Sequence, residues 1–519
     1  MQNYPISIRY LSFLLLSLAL LGLAGCGSNG GQRTASEEGW TRGDLVAGSD
    51  TFPVPAEIQP NVDFWRHVYG IWSRGEVAIH DNEHMGVIYE VVQLPSPIKE
   101  GYTDPQRSLV RDRTDAYKGQ LRLLEERVRT GQSLSSSDKA LLAKLEQAGG
   151  RAAVYGAADR VRSQRGLRER FHRGVEISGR YDPAFREIMR SHGVPEDLAY
   201  LPHVESSFQT NARSGVGAAG VWQFMPATGR MFMNVNDTID DRFDPIIAAD
   251  GAARYLSQAH RRLGSWPLAI TAYNHGQGGM ANAKAQFGDD IGGIVKNYRG
   301  QYFGFASRNF YAEFIAAREV TRNADRYFPE GVRREEPWPH DRLVLQHAMP
   351  VNHVAGHYGV TPYSLADLNM HWRDRARDGR AHLPAGSTVW LPAGTKRRVA
   401  SHPPPVSNVM VARAESTASP ATRQAIAKVE RPVATTTTRA ATATKPVAKA
   451  PAKQIAKAPT AQQSKKPATA ARYHVVKPQE TLYRVAVQNG ITVDELRRLN
   501  KMRPDDNKIR PGQKLKVSI

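Results

Sequence analysis

The sequence predicts a mainly α-helical protein that carries small strand–helix–helix–strand modules toward its C-terminal side. Three patterns in the 519 residues point this way. Residues 105–180 are charged and helix-periodic, with AYKGQLRLLEERVRT and SDKALLAKLEQA reading as exposed helices. In VPEDLAYLPHVESSF, the residues Val194, Leu198, Leu201, Glu205 and Phe208 recur at spacings of four, three, four and three, the buried stripe of an amphipathic helix. Near the end, VAGHYGVTPYSLADLN (354–369) aligns without gaps to VAVQNGITVDELRRLN (485–500), an internal repeat with Val-Ala, Gly, Thr, Leu and Leu-Asn in register.

The first 26 residues read as an export signal and not as part of the fold. Arg9 precedes LSFLLLSLALLGLAG, an apolar run short for a membrane span, which stops at Leu23-Ala-Gly-Cys26. Cys26 is the only cysteine, so an intramolecular disulfide is impossible. The segment resembles a bacterial lipoprotein signal. That resemblance implies cleavage before Cys26, acylation of that residue and, since Gly27 follows where an Asp would signal retention, anchoring to the outer membrane facing the periplasm.

Residues 27–104 mix Gly, Pro and short apolar runs such as VDFWRHVYGIW and read as an irregular N-terminal arm. The helical segment 105–180 leads into a denser block, 181–330, where aromatic and small residues crowd together. Residues 396–471 are Pro, Ala, Thr and Lys with almost no large apolar side chain, and carry fourteen Lys or Arg against Glu415 and Glu430. Such a composition cannot form a core and reads as a disordered basic linker. The net charge of +20 therefore sits largely on an exported tether, where it meets anionic envelope polymers and lipid head groups, and nucleic acid is excluded as a partner.

In the second copy of the repeat, Thr492 and Glu495 form a capping box, Gly490 suits a helix C′ position, and YHVV and KLKVSI read as flanking strands. This copy, within 472–519, resembles the LysM module, which binds N-acetylglucosamine polymers. The first copy, 343–392, is degenerate, lengthened in its middle by HWRDRARDGRAH.

Glu205 occupies a slot where the stripe asks for Leu or Ile. Burial raises the pKa of a carboxyl and favours the protonated acid, which can donate a proton to a leaving oxygen. A frayed helix end with Glu205 paired to a cation such as Arg213 is the other reading. Downstream stand Gly-x-x-Gly-x-x-Gln-Phe-Met-Pro at 217–226, Ala-Tyr-Asn at 272–274 and a later helical Tyr. Together with the Glu-Ser at 205–206 they resemble the soluble-lytic-transglycosylase-like family, whose catalytic domain has a goose-type lysozyme fold.

The resemblance implies a cofactor-free enzyme that cleaves the β-1,4 bond between N-acetylmuramic acid (MurNAc) and N-acetylglucosamine (GlcNAc) in peptidoglycan and leaves 1,6-anhydro-MurNAc ends. Glu205 then corresponds to the single catalytic acid. Ser214 and Tyr311 match residues that position the sugar and its N-acetyl group, Gln223 and Tyr273 line the cleft, Asn274 braces it, and Met225 forms an apolar floor. Glu313, two residues from Tyr311 on one helix, faces a different side. A hydrolytic lysozyme of the same fold would need a second carboxylate to activate water, for which Asp237, Asp240, Asp241 and Asp244 are candidates. A non-catalytic wall-anchoring lipoprotein is the third possibility. No metal site is expected: His80-Asp-Asn-Glu-His84 lacks the Glu directly after the first His that a zinc-protease helix requires.

Overall fold

The computed structural model describes residues 48–399, Pro404 and, with interruptions, 473–518. Cys26 and most of the basic stretch lie outside these residues. The chain divides into two compact units at 432/433.

The first unit is mainly helical. Helix α1 (Gln59–Gly70) begins on Pro60 and buries Val62, Phe64, Trp65, Val68 and Tyr69. It is followed by β1 (Glu76–Asp81) and β2 (Ile88–Gln93). Capping boxes at Thr103/Gln106 and Ser135/Asp138 start α2 (Asp104–Thr130) and α3 (Ser136–Gly149), and a left-handed Gly131 closes α2. After the single turn α4 (Ala157–Arg160), β3 (Val161–Arg165) joins β1, giving an antiparallel sheet of order β2-β1-β3.

This corrects two expectations. The irregular arm holds a core helix and two strands over 59–93. The charged helices also hide a seam: Leu121, Leu124 and Leu145 are fully buried and share a small core with Val77 and Ile79 of the sheet. In both places the apolar pattern is present but short, interrupted by Gly and Pro or outnumbered by Arg and Glu.

A larger core gathers α1 with α5 (Arg168–Ser178), α6 (Asp182–Ser191), α7 (Leu201–Glu205), α9 (Pro245–Leu263), α10 (Trp266–His275), α11 (Gln277–Phe287), α12 (Ile291–Asn297) and α13 (Phe305–Arg322); α8 (Pro226–Gly229) is a single turn. A further turn, α14 (Ala324–Tyr327), ends this region.

Residues 341–391 form a module in which β4 (Asp341–Val344) pairs antiparallel with a strand at Thr388–Leu391, around α15 (Val351–His357) and α16 (Pro362–Leu368). The insertion HWRDRARDGRAH contributes the turn α17 (Asp374–Arg377). The module is clamped onto the larger body. Ile239 sits in its core and bridges Trp372, Asp240 N–H donates to the His371 carbonyl at 2.8 Å, and the Trp390 indole donates to Asp244 at 2.6 Å.

The second unit pairs Tyr473–Val475 with Lys514–Lys516 around the helix Val493–Leu499. Thr492 of the expected capping box and Gly490 lie outside the described residues. The repeated Leu-Asn has one structural reason in both copies. Asn369 donates to the carbonyls of Leu365 and Trp390 and accepts from Trp390 N–H at 2.8 Å. Asn500 makes the same bonds to Leu496 and Lys516, again accepting at 2.8 Å. Each Asn ties a helix end to the last strand.

Candidate active site

The stripe around Glu205 is real, but the helix is not continuous. A 3₁₀ turn, Glu196–Tyr200, runs into the short α7, of which Glu205 is the last residue. The chain then reverses: Ser206 and Phe208 N–H both bond the Pro202 carbonyl, and Ser207 and Phe208 take left-handed φ of 51° and 57°. This reversal carries the Phe208 ring back under the helix, where it is fully buried beside His203 at 4.5 Å. Val194, Leu198 and Leu201 are buried as the spacing requires. Placing bulky side chains at positive φ is strained, and the packing of α5 against the turn holds it: a Cβ on Gly174 would come within 2.9 Å of the Ser207 carbonyl oxygen.

Glu205 keeps some contact with solvent and has no ion-pair partner among the described residues; Arg213 lies instead over the Phe243 ring at 4.2 Å. Burial, and second the neighbouring Glu313 carboxyl, push its pKa up to about 8. Glu313 is itself pushed up to about 8 by burial. Two residues before Glu205, His203 is enclosed by Phe171, Phe208 and Tyr200 with neither ring nitrogen hydrogen-bonded to a described residue, and burial holds it neutral by lowering its pKa to about 3. Beneath the acid the pocket floor is therefore lined by aromatic rings and a neutral imidazole.

The loop 212–225 folds on itself through bridges Arg213↔Ala219 and Ala219↔Phe224. Gly220, at φ 77°, lies so close to the Arg242 carbonyl that a Cβ would stand 1.7 Å from its oxygen, so no other residue fits. Buried Arg242 grips both Asp240 oxygens at 2.8 Å and donates to the carbonyls of Gly217 and Phe224 at 2.8 and 2.9 Å. One guanidinium thus fixes both ends of the turn.

The expected site residues divide. Burial, and second the Glu205 carboxyl, raise the Tyr273 phenol well above its ordinary value, and its hydroxyl donates to the Trp222 carbonyl at 2.9 Å. Asn274 accepts from Ser307 at 2.8 Å, a bond between α10 and α13 that suits bracing. Ser214 accepts from Ala218 N–H at 2.9 Å, and Gln223, at φ 47°, donates to the Gly220 carbonyl at 2.7 Å; both spend these bonds shaping the loop. Met225 is 41% exposed, available as an apolar contact. Tyr311 does not fit its expected role. It is 1% exposed and donates to the Pro53 carbonyl at 2.9 Å, tying α13 to the segment before α1.

Glu313 was underweighted by the sequence reading. Asn309, Glu313, Ala316 and Val320 stand at spacings of four, three and four, and Asn309, Ala316 and Val320 are buried: a second carboxylate in a buried stripe, the signal that singled out Glu205. The acidic loop behaves differently. Asp240 is clamped by Arg242, Asp241 accepts from Asn234 N–H, and Asp244 caps α9 through Ile246 and Ile247 N–H while receiving the Trp390 indole. These three are structural, and Asp237 is exposed.

The transglycosylase SLT domain family matches residues 183–292, and the LysM domain family matches 474–518. The chain carries one domain of each kind. It is 26% identical over 183 residues to "Membrane-bound lytic murein transglycosylase D" of Escherichia coli (strain K12), covering 35% of this chain and 40% of that protein. It is 34% identical over 121 residues to "Membrane-bound lytic murein transglycosylase F 2" of Alkalilimnicola ehrlichii, covering 22% and 26%. The chain therefore spans less than half the length of these relatives. The 70 kDa soluble lytic transglycosylase of Escherichia coli overlaps 43% of this chain and 45% of its own at 16% identity and a TM-score of 0.25.

Proposed function

We propose that this protein is a peptidoglycan lytic transglycosylase serving cell-wall remodelling or turnover. The observation that carries the reading is Glu205: a carboxyl at a partly open position, held protonated near neutral pH by burial and by Glu313, inside the SLT-matched domain. It donates its proton to the glycosidic oxygen as the bond to C1 of MurNAc breaks. The resulting carboxylate then takes the proton of the MurNAc 6-hydroxyl while that oxygen closes on C1, giving a 1,6-anhydro ring without consuming water. Hydrolysis would instead need a carboxylate kept ionised to activate water, and Glu205 and Glu313 are both pushed toward the protonated form. Murein digested in oxygen-18 water should yield unlabelled anhydro ends by mass spectrometry; labelled, borohydride-reducible ends would make the enzyme a hydrolase.

The second LysM copy supports binding to glycan strands, and the segment ending at Cys26 supports a triacylated anchor in the outer membrane. The acyl chains contribute about 0.8 kcal/mol per buried methylene, ample for stable attachment. Cys26→Ala should release the processed protein into the soluble periplasmic fraction or leave an uncleaved precursor. Membrane retention after clean cleavage elsewhere would refute the anchor.

A further inference from the structure

The helical body and the first repeat enclose a cavity of about 340 Å³, open at one side, that neither forms alone. Four aromatic side chains wall it: Tyr181 and Phe243 from the body, Trp390 from the repeat and Trp338 from the segment that joins them. Trp338 stands edge-on to Trp390 at 6.1 Å and tilted against Tyr181 at 5.9 Å. The most buried polar groups of the lining are already engaged. Asp244 caps α9 and receives the Trp390 indole, and His371 is hydrogen-bonded to the Thr388 carbonyl at 3.1 Å. Two half-buried groups are not: no hydrogen bond joins the Trp338 indole N–H or the Thr210 hydroxyl to a described residue. Both border the candidate active site. Thr210 lies five residues past Glu205, within about 18 Å along the chain, and Phe243 lies under the Arg213 guanidinium, next to Ser214.

We propose that this cavity is a subsite for the N-acetyl group of a hexosamine in the glycan strand, beyond the two sugars at the cleaved bond. This rests on the transglycosylase reading of Glu205. An acetamido group is flat, with an apolar methyl, one carbonyl acceptor and one N–H donor. The methyl packs among the rings, the carbonyl accepts from the Trp338 indole, and the amide donates to the Thr210 hydroxyl, so each unengaged group of the lining gains a partner. Every GlcNAc and MurNAc unit carries such a group, and a strand seated at Glu205 therefore offers one wherever its path meets the cavity. The carboxylates of the peptide stems fit poorly: Asp244 is in the lining and no Lys or Arg is. The first repeat thus helps to hold the strand through the face it presses against the body.

The full-length protein carrying Glu205→Gln, which prevents cleavage, can be titrated with N-acetylchitotetraose and followed by NMR. The Trp338 indole N–H signal, assigned by its loss in Trp338→Phe, should shift, and the fully deacetylated oligomer should leave it in place. Because the signal belongs to one side chain, binding by the second LysM copy does not contribute to it. In the active enzyme, Trp338→Phe keeps an aromatic wall and removes the donor, while Thr210→Val keeps the shape and removes the hydroxyl. Each should raise KM on long glycan strands about five-fold, with little change in kcat, since each takes one hydrogen bond from a sugar that does not react. An indole signal that ignores the acetylated oligomer, or answers equally to the deacetylated one, overturns the proposal, as does a fall in kcat at constant KM. Absence of any anhydro product from the wild type would instead overturn the transglycosylase reading, and the indole shift would still decide what the cavity binds.

Discussion

Glu205→Gln should reduce turnover by at least about 100-fold, the usual cost of losing one general acid–base group, and by more if a single carboxyl serves both proton transfers. The amide fills the same slot at the end of α7 but can neither release nor accept the proton. The same variant should be more heat-stable than the wild type at alkaline pH. The Glu205 pKa is raised from an ordinary 4.5 to about 8 in the folded protein, so the unfolded chain gives up this proton first. Stability is whole below the unfolded value, falls as pH rises from there, and is fully lost to this group above the folded value. Gln has no such linkage. Melting curves of the two proteins should coincide near pH 4 and separate by pH 9 in favour of Glu205→Gln. Coincident curves at both pH values, with full activity, would remove Glu205 from the reaction.

Arg242→Met should be the most destabilising of the single changes considered, at about 3–5 kcal/mol, because it strands a buried partner. Asp240 is 2% exposed and would keep Arg373 alone among the described residues, while the Gly217 carbonyl would lose the guanidinium and the Phe224 carbonyl would be left with Ala219 N–H. Arg373→Met, at the rim of the same cluster with a side chain 44% exposed, should cost no more than about 1 kcal/mol. Denaturation midpoints of the two variants give the comparison. Equal, small losses would mean that Arg242 does not hold the loop. Because the guanidinium fixes the turn bearing Ser214 and Gln223, Arg242→Met should also slow turnover at temperatures where the variant is still folded.

Glu205 was legible because a lone carboxylate broke an apolar stripe, and the paired Asn residues were legible because the repeat preserved them. The break of the helix after Glu205 was not: the spacing continues through Phe208, and only the left-handed turn at Ser207 and Phe208 shows that the last member arrives by reversal. Helix α1 hid because its buried positions include Arg66, which pairs with Asp63, and Asn61, whose partner Asn309 lies far along the chain. Tyr311 failed for the complementary reason. A motif fixes where a residue sits on its helix, while its hydroxyl is claimed by Pro53, more than two hundred residues earlier. The Arg242 clamp is likewise invisible locally, since its value depends on the carbonyls it reaches.

The junction between the first repeat and the helical body bears on how such a protein can evolve. Ile239 completes the repeat's core, Asp244 serves at once as the cap of α9 and the acceptor of the Trp390 indole, and Asp240 is shared between Arg242 and Arg373. A gene boundary drawn before residue 341 would leave these acids half-satisfied on the enzyme side and an open core on the other. This copy has ceased to be an exchangeable cassette. The first copy can be inherited only together with the loop at 237–244 that has grown into it.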